Sequence, residues 1–407
     1  MTVQEIRNQF PILERTVYGR KFVYLDNAAT SQRPNSVIAK WKEMSLSLNS
    51  NIHRAVHRLA VDATEEYEST RDAVRSFINA GSREEIIFTS GATASLNLLA
   101  FSLGEAFIER GDEILICESE HHSNIVPWQM MASRKGAVIK KLPVEENGCI
   151  DLERLRENLT KKTKLACVSQ ISNVLGVKNP VKDIVNICHS AGCMVVTDGA
   201  QGVVHCVTDV RDIDCDFYVF SGHKIFAATG TGVLYGKKEW LEKMPPYMGG
   251  GEMIESVSFE KTTFAPLPGK FEAGTQNISS VPTLKPALDF AISLRDPEIV
   301  SYQERLTEYV YEVLCSDNRI KLYGTPERME DKIPLFSFTV RGVHHEDLAL
   351  VLDKMGIAVR SGQMCAEPLM ERFSVTGMLR ASFAPYNTME EAKYFIESLG
   401  KAINMLA

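Results

Sequence analysis

The sequence predicts an α/β fold built on a mainly parallel sheet, with a smaller α+β domain attached. Three observations predict it. Residues 84–236 alternate short apolar runs with helical patterns, as expected for a sheet covered by helices on both faces. The polar residues suited to chemistry fall just after the apolar runs, at the edge where parallel sheets bind ligands. Beyond residue 242 a proline- and glycine-rich excursion interrupts the alternation, and a shorter second set of elements follows it.

Taken in order, strands are expected at 85–89, 113–117, 138–143, 165–170, 193–197, 217–220 and 232–235. Helices are expected at 93–109, 124–134, 152–159 and 181–190, from apolar residues recurring every three to four positions. Gly232 follows the preceding run too closely for a crossover helix, so its strand is expected to pair antiparallel. After Pro282 helical patterning resumes to Leu294 and again over 300–314. Strands at 336–340, 358–360 and 379–383, with helices at 346–354 and 389–406, complete the second set. The expected division is a large domain over 20–290 and a small one formed by 1–19 and 291–407.

The chain has 407 residues, with 45 basic and 52 acidic side chains giving a net charge of −7. Its 44% hydrophobic and 24% charged content is that of a globular protein and excludes collagen-like and disordered classes. That charge offers no electrostatic footprint for nucleic acid or an anionic membrane. No run of about 18 uncharged apolar residues predicts a membrane span. The nine cysteines form no CxxC pair and, being odd in number, no evident disulfide framework. A cytoplasmic location and no metal site are expected. Most of the thiols read as small buried hydrophobes.

Ser221-Gly222-His223-Lys224 follows an apolar strand, and a lysine there is placed to form a Schiff base with an aldehyde cofactor. Asp198, 26 residues upstream at another strand end, suits the protonated nitrogen of pyridoxal phosphate (PLP). Ser90-Gly91-Ala92-Thr93 joins a strand to a helix and offers free N–H groups, a hydroxyl and a helix dipole to a phosphate. His121, beside His122, is able to stack on a planar ring and carry a proton. His53 and His57 have i, i+4 spacing, but Arg54 stands where a metalloprotease carries Glu, so they read as helix surface rather than zinc ligands.

The order of these signals resembles the class V aminotransferases, which are fold-type-I PLP enzymes, and among them the group II cysteine desulfurases of the SufS type. The matching segments are Leu25-Asp26-Asn27-Ala28-Ala29, the run from His121 to Gln129, Ser172-Asn173-Val174-Leu175-Gly176 and Asp198-Gly199-Ala200-Gln201. They continue with Ser221 to Lys224, Phe271 to Thr275, Arg360 to Ala366 and Arg380-Ala381-Ser382.

The resemblance implies a role for each residue. Lys224 would hold PLP and then move the Cα proton of the substrate. Asp198 would face the pyridine nitrogen, Gln201 the phenolic oxygen and His121 the ring. Thr93, Ser221, His223 and the Ala92 amide would bind the phosphate, joined by Thr275 from the other subunit of a homodimer. Arg380, with Asn173, would take the substrate carboxylate, a task suited to a guanidinium fork. Cys365, with cationic Arg360 nearby, would receive sulfur from L-cysteine as a persulfide and leave L-alanine. A SufE- or SufU-like acceptor protein would collect that sulfur for iron–sulfur cluster assembly or thio-modification.

The chain departs from the group II pattern in two places. Ala92, Thr93 and Ala94 stand where the group usually has two threonines and Glu, which removes one phosphate hydrogen bond. Gln363-Met364 precedes Cys365 where polar residues are common, and an apolar Met364 would raise the thiol pKa or reshape the acceptor surface. Two other readings share these residues: a selenocysteine lyase or cysteine-sulfinate desulfinase, and an impaired desulfurase acting as a scaffold.

Overall fold

The computed structural model describes all 407 residues. Its centre is a seven-stranded sheet in the order Ile86–Thr89, Gly232–Gly236, Phe217–Ser221, Met194–Asp198, Thr163–Ser169, Glu113–Cys117 and Val138–Leu142. Only Gly232–Gly236 runs antiparallel to its neighbours, as its short connection to Phe217–Ser221 requires.

The strands read as continuous apolar runs because both faces of the sheet are covered. Phe88, Leu115, Cys117, Ala166 and Val168 point into one core, with Phe220 and Val233. Ile87, Ile114, Ile116, Leu165 and Cys167 point into the other, against Leu96, Leu99, Leu103 and Trp128. At one sheet edge Arg71 spans Glu68 and Glu272, donating to Glu272 at 2.7 and 2.9 Å. Glu272 also accepts the Phe88 amide at 2.7 Å, which ties the 269–275 segment to the sheet.

A second, antiparallel sheet runs Ile320–Tyr323, Leu335–Val340, Met378–Ser382 and Arg360–Gly362. The helices Pro297–Ser316, His345–Lys354 and Met389–Leu406 pack on it through Leu306, Val310, Leu352, Phe395 and Leu399. The expected strand at 358–360 is in fact two. Ile357–Ala358 pairs in parallel with Val23–Tyr24, while Arg360–Gly362 joins the small sheet. At the N-terminus, the Phe10 ring lies against Phe226, Phe290 and Tyr386.

Within 242–282 the strands Ile254–Val257 and Thr262–Phe264 form a hairpin whose tip carries fully exposed Phe259. The histidine pair His53/His57 does not lie on a helix face. His57 is the N-cap of Arg58–Phe77, and His53 precedes it with φ 70°. Most of the cysteines are buried or half-buried as expected, but Cys365 is not the only one outside the packed interior. Cys315 is exposed near the end of Pro297–Ser316, away from the face that buries Leu306, Val310 and Leu314.

Candidate active site

A cavity of about 260 Å³, open to solvent, lies where the C-terminal ends of the central strands meet the small sheet. Its walls bring together Lys224, Asp198, Gln201, Ser221, His223, Ala92, Thr93, His121, Asn173, Arg360, Arg380 and Cys365. These twelve come from segments spread over more than 280 residues. Of the residues to which the resemblance gives a role, Thr275 alone does not line the cavity; it is exposed to solvent on the 269–275 segment.

The strand Phe217–Ser221 ends in a short 3₁₀ turn, Gly222–Lys224, that delivers the lysine into the cavity. A Cβ on Gly222 would sit 2.2 Å from Thr231 Oγ1, so the turn needs glycine there. Burial pushes Lys224 below the usual lysine range, opposed by the charge of Asp198. Burial raises Asp198 in turn, opposed by Lys224, and the Ala200 amide donates to its carboxylate at 2.9 Å.

On the opposite wall, Thr93 begins the helix Ala92–Phe107 and shares a 2.9 Å hydrogen bond with Ser123 Oγ. Ser123 also meets His121 Nδ1, through its hydroxyl at 2.7 Å and its amide at 3.1 Å, fixing the ring. Burial, reinforced by Lys224, lowers His121 to about 4, so its ring is neutral at pH 7. His223, which shares a 3.1 Å hydrogen bond with Thr30, is lowered to about 4 by burial and Lys224. The Ala92 amide, expected to face a phosphate, donates to Ser221 Oγ at 2.8 Å instead.

Arg380 is almost wholly buried and donates to the Asn173 carbonyl at 2.8 Å and to Asp26 at 3.2 Å. Asp26 also receives Arg360 at 2.8 Å. Asn173 turns its side-chain amide to the Met364 carbonyl at 3.0 Å, and Gln201 donates to the Ala28 carbonyl at 2.8 Å. Cys365 is exposed, whereas Met364 turns inward and joins the core. Met364 also lines the cavity beside Cys365, and Gln363 is the exposed member of the pair.

The residues present fit PLP. Ser169 Oγ and Arg380 Nε are buried without a hydrogen-bond partner, and both residues line the cavity beside Lys224. An amine, a buried carboxylate across from it, a neutral imidazole and a hydroxyl-lined wall are the complement of that cofactor. The residue that sequence reasoning passed over is Asp26. It stands within a matched segment, but its tie to both arginines depends on residues 334 and 354 positions away.

A family model described as aminotransferase class-V matches residues 23–395. A probable cysteine desulfurase of Vibrio cholerae is 44% identical over 406 residues, covering 100% of both chains. A cysteine desulfurase of Pectobacterium carotovorum is 43% identical over 405 residues, covering 99% of this chain and 98% of its own. Among solved structures, the cysteine desulfurase CsdA of Escherichia coli, as an S-sulfonic acid, matches with a TM-score of 0.91 at 37% identity, covering 100% of both chains. The apo cysteine desulfurase of Thermococcus onnurineus NA1 matches with a TM-score of 0.93 at 34% identity, covering 99% and 98%.

Proposed function

The chain belongs to the class-V aminotransferase family, and from that premise we propose that it is a PLP-dependent cysteine desulfurase. It converts L-cysteine to L-alanine and takes the sulfur onto Cys365. The observation that carries this reading is the meeting of Lys224, Arg380 and Cys365 in one cavity.

PLP, when bound, supplies the electron sink that makes the substrate Cα–H and C–S bonds breakable. The chain's own residues do the rest. Arg380 receives the substrate carboxylate, its fork held by Asp26 and the Asn173 carbonyl. Lys224, kept below the usual lysine range by burial, takes the Cα proton as the amine it frees. Cys365, as the thiolate, attacks the substrate sulfur, so an S–S bond forms as the C–S bond breaks. The electron pair of the broken bond stays with the substrate Cβ, which takes a proton; Lys224 returns the proton it holds to Cα, and L-alanine leaves. The chain keeps Cys365–S–SH, and no external oxidant or reductant is consumed.

Asp198 would pair with the ring nitrogen of PLP, His121 would stack on its ring, Gln201 would meet its phenolic oxygen, and Thr93, Ser221 and His223 would hold its phosphate. Thr275, exposed and not lining its own cavity, serves the cavity of a second copy in a homodimer. The large domain spans 20–290 and 291–407 forms the small domain that carries the thiol, while residues 1–19, expected with the small domain, bury Ile6, Phe10 and Leu13 in the core of the large one. The persulfide passes to an acceptor protein for iron–sulfur cluster assembly or thio-modification. Nine unpaired thiols, one of them the nucleophile, suit the reducing cytoplasm. No helix is long and apolar enough to cross a membrane.

Mass spectrometry after incubation with L-cysteine, with alanine quantified alongside, tests the reading. It expects one added sulfur on Cys365 and matching alanine. Full turnover of L-cysteine by Cys365→Ser would refute the persulfide step.

A further inference from the structure

The backbone at the thiol is held in an unusual conformation. Met364 and Cys365 are consecutive non-glycine residues with φ 54° and 56°, a left-handed region that side chains disfavour. Glycine would relieve this at 365 but would remove the sulfur. The conformation therefore has to be fixed by contacts from outside the loop.

Those contacts converge on one residue besides Asn173. The His122 amide donates to the Cys365 carbonyl at 2.7 Å. The His122 ring accepts, at Nε2, the Glu367 amide at 3.1 Å. Glu367 is the first residue of the helix Glu367–Arg372, so the ring caps the element that leaves the thiol loop. Because Nε2 accepts an N–H, a neutral ring carries its proton on Nδ1. The neighbouring His121 is itself fixed by Ser123 against the wall proposed to hold the cofactor. One dipeptide thus locates both the ring-stacking imidazole and the loop of the nucleophile.

We propose that His122 is the positioning residue for Cys365, clamping the left-handed thiol loop through its amide and its ring Nε2. This rests on the reading of Cys365 as the sulfur acceptor. His122 touches neither substrate nor cofactor in this account. It sets where the sulfur stands relative to Lys224.

Two variants test it, His122→Leu, which removes the ring acceptor, and His122→Gln, which restores one. Three readouts are used on the PLP-loaded protein: hydrogen exchange of the Glu367 amide, iodoacetamide labelling of Cys365, and the rate of persulfide formation set against the cysteine-induced change in cofactor absorbance. For His122→Leu, exchange at Glu367 should quicken by about tenfold, the scale of one lost hydrogen bond. Labelling of Cys365 should change, and persulfide formation should slow by a similar factor while the absorbance change keeps its rate. His122→Gln should return all three toward the unaltered protein. Unchanged exchange and persulfide rates in His122→Leu, or no rescue by His122→Gln, would overturn the proposal. Exchange and labelling need no turnover. A loosened loop in a protein that makes no persulfide would sustain the clamp and sink the sulfur-acceptor reading instead.

Discussion

Arg380 donates to Asp26 at 3.2 Å across 354 residues of chain, and the same carboxylate receives Arg360 at 2.8 Å. Two guanidinium groups that line the cavity, buried Arg380 and exposed Arg360, thus share one anion, which offsets their mutual repulsion. The strand Val23–Tyr24, paired in parallel with Ile357–Ala358, carries Asp26 to that place. The N-terminal segment is in this sense part of the proposed substrate-binding apparatus.

Replacing Asp26 with Ala leaves buried Arg380 without its counter-ion. Losing hydrogen bonds to a charged group costs about 1.5–3 kcal/mol, so urea unfolding should show a loss of that size. Because Arg380 is the proposed carboxylate receptor, KM for L-cysteine should rise more than kcat falls. Asp26→Asn keeps an acceptor without the charge and should be intermediate on both measures. An unchanged KM in Asp26→Ala would show that Asn173 alone holds the guanidinium.

The phosphate wall supports a prediction in the direction of gain. Ala92 lines the cavity, and its amide is already engaged by Ser221 Oγ at 2.8 Å. The backbone therefore does not replace the hydroxyl that an alanine lacks. Ala92→Thr adds a donor beside Thr93 and should tighten PLP binding by about tenfold, as one hydrogen bond to a charged group allows. Titration of the cofactor-free protein with PLP, followed by absorbance, measures it. Weaker binding would mean that the added methyl crowds the wall.

Most of the central sheet was legible because its inner strands are buried on both faces and read as apolar runs, as in Phe217–Ser221; the edge strand Val138–Leu142, with Lys140 and Lys141, buries only Leu142. Ile320–Tyr323 was not, because this edge strand buries only Tyr323. The hairpin Ile254–Val257/Thr262–Phe264 was missed for a similar reason, its first strand being exposed at three of four positions. In the site, Cys365 is singled out among nine thiols only by the resemblance, whereas Lys224 and Asp198 announce themselves by residue type and place at a strand's end. Asp26 and His122 do not, since a carboxylate's two arginines and an imidazole's distant amide exist only once the chain is folded.

The buried histidines make a prediction about acid. His121, His205 and His223 are each lowered to about 4, first by burial in every case, against an unperturbed value near 6.5. Between those values the unfolded chain binds protons that the folded chain refuses. Stability is therefore complete above about pH 6.5 and is lost as pH falls toward 4, at up to about 1.4 kcal/mol per pH unit for each histidine. Two carboxyls act the other way. Burial and the charge of Asp198 raise Glu120 to about 8, and burial raises Asp198. Three histidines outnumber those two groups, and burial holds His345 low as well, with the same sign as the three. The cofactor-free protein should accordingly lose stability as pH is lowered from 6 to 5, measured by urea unfolding at fixed ionic strength. His205 lies outside the proposed chemistry, so His205→Asn isolates one contribution. It should flatten that slope by up to about 1.4 kcal/mol per pH unit, and an unaltered slope would show that His205 takes up its proton while folded.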